Sequence, residues 1–180
     1  IEFELSQVGT SSLRGGTACN CCARNKNEKC VLPGDELNTW IQKMKEADGI
    51  LLGSPVHYAG IGATMKCLLD RAFYVAGVNG GLLRHKVGAS VVAVRRSGVS
   101  STFDALNHYI TYSEMLLPGS NYWNIAHGTT PGEVLQDEEG LQLLRVLGRN
   151  MAWLLKSLDA AKNLVPPPAA EKKIFTNFIR

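Results

Sequence analysis

The opening Ile1-Glu2-Phe3-Glu4-Leu5 alternates apolar and polar side chains, the pattern of a half-buried strand. A polar, glycine-bearing stretch from Gln7 to Gly16 follows, and then a run holding Cys19, Cys21, Cys22 and Cys30. Pro33-Gly34 turns the chain toward Asp35, a residue suited to cap a helix. Leu37, Trp40, Ile41, Met44 and Ala47 recur at helical spacing, which predicts a helix from about Glu36 to Ala47 with Trp40 in the core. Gly49 to Gly53 is continuously apolar, as a strand covered on both faces should be, and Ser54-Pro55 ends it. After a loop from Val56 to Gly62, Ala63 to Tyr74 reads as a helix. Met65, Leu68, Leu69, Ala72 and Phe73 line its inner side, with Cys67 as a small buried hydrophobe.

Val87 to Val94 is rich in β-branched residues and predicts a third strand, followed at once by the polar loop Arg95-Arg96-Ser97-Gly98. Ser101 and Asp104 have capping-box spacing, and Phe103, Leu106 and Ile110 give the next helix its apolar face. A strand is expected at Met115 to Leu117, stopped by Pro118-Gly119, with loop from Asn121 to Glu133. Asp137 to Leu158 is a long amphipathic helix through Leu141, Leu144, Leu147, Met151, Leu154 and Leu158. From Asp159 on, Pro166-Pro167-Pro168 and Lys172-Lys173 mark an exposed arm, so the expected division is a domain over 1–158 and a tail over 159–180. Alternating strands and helices imply an α/β fold with a largely parallel sheet, whose ligands sit beyond the carboxyl ends of the strands.

Composition narrows the function. The chain has 180 residues, 45% hydrophobic and 19% charged, enough for one packed core and too apolar for a disordered chain. Nineteen basic and sixteen acidic residues leave a net charge of +3, which disfavours nucleic acid as a partner. No apolar run reaches the roughly 18 residues that would span a bilayer, and no signal peptide opens the sequence, so a cytoplasmic protein without membrane partners is the expectation. Five cysteines are an odd number, four of them clustered, which points to metal or redox chemistry rather than a disulfide framework.

The run Ala47 to Arg71, with Gly53-Ser54-Pro55-Val56-His57-Tyr58 after a buried strand and Leu69-Asp70-Arg71 ending a helix, resembles the flavodoxin-like NAD(P)H-dependent FMN reductase superfamily, including the multimeric flavodoxins and iron-sulfur flavoproteins. The likeness continues through Leu82 to Gly98 and Gly119 to Trp123. It implies a flavodoxin-like doubly wound parallel sheet. It also implies FMN as cofactor and NAD(P)H as co-substrate. Pro55, Val56, His57, Tyr58 and Gly60 would run along one edge of the flavin, and Arg95, Arg96, Ser97 and Gly98 would form its second loop. A rigid proline turn, backbone donors and aromatic cover suit a flat apolar ring with polar edges. Positive charge beside the N1–C2 edge suits the reduced ring. In the family a first strand and a Ser/Thr/Gly-rich loop cradle the FMN phosphate at a helix N-terminus. Nothing before Ile1 supplies that β–α unit, so a parent protein with a further N-terminal β–α unit is expected. Gly15-Gly16-Thr17 could mimic the phosphate loop, although no buried strand leads into it.

Iron-sulfur flavoproteins carry a CxxCxxC run and a later fourth cysteine, a spacing that brings thiolates onto a 4Fe–4S cluster. Cys19, Cys22 and Cys30 match the last three positions, and Gly16, which cannot ligate, stands at the first. Cys21 is the remaining metal candidate, but it adjoins Cys22 and points away from it in an extended loop. Three readings of these cysteines stay open: an incomplete cluster site, a structural loop, or a zinc or thiol-redox site. His85, His108 and His127 stand isolated as surface or hydrogen-bonding groups, and Glu138-Glu139 compensates a helix dipole. Tyr122-Trp123 either walls the flavin or caps the core.

The reading that unites these features is an FMN oxidoreductase passing hydride from NAD(P)H to a flavin, quinone or other small acceptor, with no obligatory catalytic side chain. The alternatives are an FMN and iron-sulfur electron carrier acting on redox proteins, and a non-catalytic flavodoxin-like binding module. The resemblance further implies a homodimer or homotetramer.

Overall fold

Helical periodicity survives into the structure wherever it was long. The computed structural model describes residues 1–178. It contains, in chain order, α1 (Cys21–Asn25), α2 (Leu37–Glu46), β1 (Gly49–His57), β2 (Gly60–Ile61), α3 (Ala63–Val78), β3 (Val87–Val94), α4 (Val99–Tyr112), β4 (Ile125–His127), a single 3-10 turn (Glu133–Gln136) and α5 (Glu138–Ala161). The sheet order is β2-β1-β3-β4, with β1, β3 and β4 parallel and β2 antiparallel to β1. This is the α/β, parallel-dominated arrangement that the alternation of elements predicts.

One face of the sheet carries the main core. Ile50, Leu52 and Val92 pack with Leu37, Ile41, Leu68, Leu69, Leu106 and Ile110 from α2, α3 and α4. Leu69 and Leu106 are fully buried, and each such side chain contributes about 1.5–3 kcal/mol. Close approach of α4 to β3 depends on Gly88, where an added Cβ would lie 2.8 Å from both Ile110 and Met115 side-chain atoms. On the other face α5 covers the start of β1, where a Cβ at Gly49 would lie 2.9 Å from the end of Met151.

Several expectations are corrected. Residues 1–5 form no strand, and Ile1, Phe3 and Leu5 are 73%, 89% and 87% exposed. Alternation makes a strand only where a sheet edge supplies the hydrogen bonds, and the segment meets none among the described residues. β1 does not end at Ser54-Pro55 but continues to His57, because proline is tolerated where its missing N–H faces away from the ladder. Met115 to Leu117 contributes only a bridge of Leu116 to Val87, and the fourth strand lies instead at Ile125–His127, inside the expected loop. Ser101 does not cap α4: the cap is Gly98, at φ 84°, which leaves Ser101 inside the first turn. The buried stripe of α5 is Gly140, Leu143 and Leu147, while Leu141, Leu144 and Leu154 lie half-buried beside it. The helix runs on to Ala161. Beyond it Arg84 donates to the carbonyls of Pro168 (3.0 Å) and Ala169 (3.3 Å), tying down part of the arm. Residues 179–180 of the expected tail lie outside the described residues.

Candidate functional site

At the carboxyl end of the sheet the first polar loop is a tight hairpin. β1 and β2 pair through Val56 with Ile61 and His57 with Gly60, so Tyr58 and Ala59 alone make the turn. Both have positive φ, 48° and 56°, as a type I′ turn demands. Neither is a residue that adopts this conformation freely, and each pays about 1–2 kcal/mol for it. Strain of this size persists only where surroundings over-determine the backbone. Ser54, 4% exposed, supplies one restraint: its hydroxyl donates to the Pro55 carbonyl (2.8 Å) and accepts from the Gly62 N–H (3.0 Å).

The second polar loop supplies the others. Ser101 Oγ donates to the Ala59 carbonyl at 2.7 Å. Thr102, fully buried, donates its hydroxyl to the Gly98 carbonyl at 2.8 Å, fixing the start of α4. A Cβ at Gly98 would stand 2.7 Å from Ala59 Cα and 3.0 Å from Val56 Cγ1, so the loops touch backbone to backbone. Sequence pattern alone assigns Ser54 and Ser101 other roles, as strand stop and helix cap, and does not single out Thr102. Their signal was position, since all three are small hydroxyls within four residues of the loops.

The joined loops form a donor-rich edge. The backbone N–H groups of Tyr58, Ala59, Arg96, Ser97 and Gly98 have no partner among the described residues. The N-terminus of the 14-residue α4 begins in the same place, adding its own unpaired donors. Pro55, His57, Tyr58, Arg95, Arg96 and Ser97 are exposed there, while Val56, Gly60 and Gly98 are half-buried. This donor set fits the acceptor-bearing edges of a flavin ring.

His127 ends β4 beside Val94, immediately before Arg95. Its N–H donates to Asp137 Oδ2 (2.6 Å), and Asp137 Oδ1 accepts from Gly140 N–H (2.9 Å) at the start of α5. These two N–H groups, Gly140 first and His127 second, hold the Asp137 carboxyl below its ordinary range. Tyr122 and Trp123 neither cap the core nor lie beyond the strand end. They are 58% and 52% exposed, rest on each other with ring centroids 4.8 Å apart, and enter β4 near Asn124, which is bonded to Ser90 in mid-sheet.

The cysteine loop lies apart from this edge, against α2 and the middle and end of α3. Its anchor is Arg71, 3% exposed, whose guanidinium meets Asp35 (2.5 Å), the Arg14 carbonyl (3.1 Å) and Cys30 Sγ (3.3 Å). Tyr74 donates to Asn20 (2.7 Å), and Lys26 reaches the Val78 carbonyl. Gly16 packs on Arg71 too, with Cγ of Arg71 3.5 Å from where its Cβ would be, so Gly15-Gly16-Thr17 makes no phosphate loop at a helix start. Cys22 is buried, which pushes its thiol up, whereas Cys19 is exposed. The Cys19 thiol is pulled down by the Cys21 N–H first and the Cys21 thiol second. Among the described residues no three His, Cys, Asp or Glu side chains converge as a metal site. Cys19, Cys22 and Cys30 are the residues of this loop that match cluster-ligand positions, with Gly16 standing at the remaining one.

A parallel sheet with helices on both faces and a donor-lined carboxyl edge defines a flavodoxin-like α/β protein. The chain belongs to the NADPH-dependent FMN reductase family, which matches residues 1–130. It is similar to an iron-sulfur flavoprotein of Methanocaldococcus jannaschii, 34% identical over 163 residues, 87% of this chain and 82% of that protein. Among solved structures it is similar to RosB with bound 8-demethyl-8-formylriboflavin-5'-phosphate, at TM-score 0.60 and 18% identity over 82% of this chain and 68% of that one. It is also similar to a flavodoxin, WrbA-like protein from Agrobacterium tumefaciens, at TM-score 0.53 and 16% identity over 64% of this chain and 71% of that one. At such identities the structural likeness is one of fold. Family membership makes this an FMN-dependent redox protein, an oxidoreductase or an electron carrier.

Proposed function

We propose that the chain is an FMN-dependent oxidoreductase that takes hydride from NAD(P)H and delivers electrons to a small acceptor such as a flavin or quinone. The observation that carries this reading is the pairing of two donor-lined loops, Tyr58-Ala59 and Arg96 to Gly98, at the carboxyl edge of the sheet. Bound there, FMN supplies the two-electron chemistry.

The residues of this chain bind and orient. Backbone N–H groups of both loops meet the polar edges of the ring, and the contacts of Ser101 and Gly98 with Ala59 hold the left-handed turn in which those donors stay unpaired among the described residues. The Tyr58 and His57 side chains, both exposed, cover an apolar ring face without hydrogen-bonding elsewhere among the described residues. Arg95 and Arg96 pair with no carboxylate among the described residues and so leave positive charge for the reduced, electron-rich state. No side-chain acid or base is required.

The exposed Ile1, Phe3, Ile174 and Phe175 favour assembly into a homodimer or homotetramer. Five free cysteines agree with a reducing, cytoplasmic setting. Among the described residues no helix is long and apolar enough to cross a membrane. The test is a visible spectrum of the purified chain with added FMN, then anaerobic addition of NAD(P)H and of a small quinone. Flavin bands that bleach and return support the reading. Bands that NAD(P)H leaves unchanged but a reduced redox protein bleaches would make the chain an electron carrier, and absence of bound flavin would make it a non-catalytic module.

A further inference from the structure

The last strand ends in a carboxylate–imidazole pair. His127 closes β4 in register with Val94, the residue before the donor-lined loop Arg95 to Gly98. Neighbouring strands lie about 4.8 Å apart, so His127 leaves the sheet at the same carboxyl edge, one strand over from that loop. The Gly128 N–H donates to the Val94 carbonyl at 3.0 Å and carries the pairing one step past the strand. Asp137 stands across from the imidazole. Its Oδ2 lies 3.3 Å from His127 Nδ1 and accepts the His127 backbone N–H at 2.6 Å, while its Oδ1 accepts the Gly140 N–H at 2.9 Å. A carboxylate holding two backbone N–H groups is an acceptor only, so the proton of the neutral imidazole belongs on Nδ1. Nε2 is then the nitrogen that gains and loses a proton, and it has no partner among the described residues. Side-chain exposure divides the pair, 16% for Asp137 and 54% for His127: one is fixed in the fold and the other reaches solvent. β4 packs against β3, the 3-10 turn and α5. The other charged groups those elements carry at this end are Arg95 after β3, Glu138 and Glu139 on α5, and Glu133 in the turn. The Glu133 carboxylate is already engaged by the N–H groups of Thr129 and Thr130, at 2.5 and 2.8 Å.

We propose, on the strength of the FMN oxidoreductase reading, that His127 is the proton donor to a quinone-type acceptor and that Asp137 is its positioning residue. Reduction of a quinone to a hydroquinone takes one hydride and one proton. The hydride brings both electrons and leaves the acceptor as a hydroquinone monoanion. The Nε2–H bond of the His127 imidazolium then breaks, an O–H bond forms on the anionic oxygen, and the neutral imidazole regains its proton from solvent. Asp137 stabilises the imidazolium and fixes the orientation in which Nε2 faces away from α5. Hydride transfer itself needs no such group, and water can protonate the product; His127 shortens the path of the proton. An acceptor that takes electrons without protons gains nothing from it.

In the test, the FMN-loaded chain is photoreduced and mixed by stopped flow with a small quinone or with ferricyanide, which takes electrons alone. His127→Gln should slow reoxidation by the quinone at least about tenfold and leave reoxidation by ferricyanide within about twofold. In the unsubstituted chain the quinone rate should fall as pH rises, with the midpoint that NMR reads for the His127 imidazole, and the ferricyanide rate should not. Ring-nitrogen spectra of the flavin-free chain should show the neutral imidazole protonated at Nδ1, a preference that Asp137→Asn removes. Equal slowing of both acceptors would overturn the proposal. So would a quinone rate indifferent to His127 and to pH, or a neutral imidazole protonated at Nε2. The pH profile and the spectra of the unsubstituted chain decide the matter even if a variant fails to fold. NAD(P)H that leaves the flavin unbleached would count against the hydride reading of the edge, and the photoreduced arm still decides the role of His127.

Discussion

Gly98 lies with its backbone directly on Ala59, so close that a Cβ would stand 2.7 Å from Ala59 Cα. One contact therefore couples the cap of α4 to the strained turn of the hairpin, and Ser101 locks it with a 2.7 Å hydrogen bond to the Ala59 carbonyl. Loop separation and hairpin conformation cannot change independently.

That coupling predicts an asymmetry between two glycines of identical φ. Gly98 and Gly132 both have φ 84°, but nothing lies within 4 Å of a Cβ at Gly132. Gly132→Ala should cost about 1–2 kcal/mol, the left-handed penalty alone. Gly98→Ala should cost about 1–3 kcal/mol more, because Ala59 and Val56 must shift, and it should also weaken FMN binding. Urea unfolding with an FMN titration checks both. Equal losses in the two variants would mean that the loops are not in contact.

Arg71 predicts a coupling across 36 positions of sequence. Its side chain and that of Asp35 are 2% and 4% exposed, and their ion pair is 2.5 Å long. Arg71→Met leaves the Asp35 charge buried alone and should cost about 3–5 kcal/mol, whereas Arg71→Met with Asp35→Leu should recover most of that. A double-mutant cycle by chemical denaturation measures the coupling. The same variants should free Cys30 to alkylation, since its sulfur loses the 3.3 Å contact with Arg71.

These sites also mark what was legible in the sequence. The helices α2, α3 and α5 announce themselves because several apolar residues repeat at one period, and the strands β1 and β3 because continuous apolar or β-branched runs end at polar loops. β4 has three residues, too few for a period, and its place is set by Asn124 and by α5 packing on its edge. Tyr58 and Ala59 carry no turn signature, since partners distant in sequence, Gly98 and Ser101, impose their conformation. Arg71 was readable as part of Leu69-Asp70-Arg71 but not as a buried ion, because its acid lies on another segment. The positions of both loops were legible; how they hold each other was not.

Asp137 predicts a pH dependence with a definite sign. Hydrogen bonds from Gly140 and His127 lower its folded-state pKa, so the stability they add is fully present above the ordinary aspartate range. It is lost as pH falls through the lower folded value. Asp137→Asn should therefore be less stable than the unsubstituted chain at neutral pH, and the difference should shrink from about pH 4 downward. Thermal melts across that range test it. A difference that stays constant with pH would assign the effect to cap geometry and not to charge.

Arg95 and Arg96 follow β3 at the carboxyl edge, exposed and without an ion-pair partner among the described residues. Positive charge there stabilises the reduced flavin more than the oxidised one, so replacing both with Ala should lower the reduction potential of bound FMN. Because both side chains face solvent, the shift should be largest at low ionic strength and should fade as the Debye length shortens from about 30 Å at 0.01 M salt to about 3 Å at 1 M. Spectroelectrochemical titration at both salt concentrations checks this. A shift that does not depend on salt would come from a rearranged loop rather than from charge. An unchanged potential with intact binding would place both guanidinium groups away from the ring and leave the backbone donors of Arg96, Ser97 and Gly98 as the contribution of this loop.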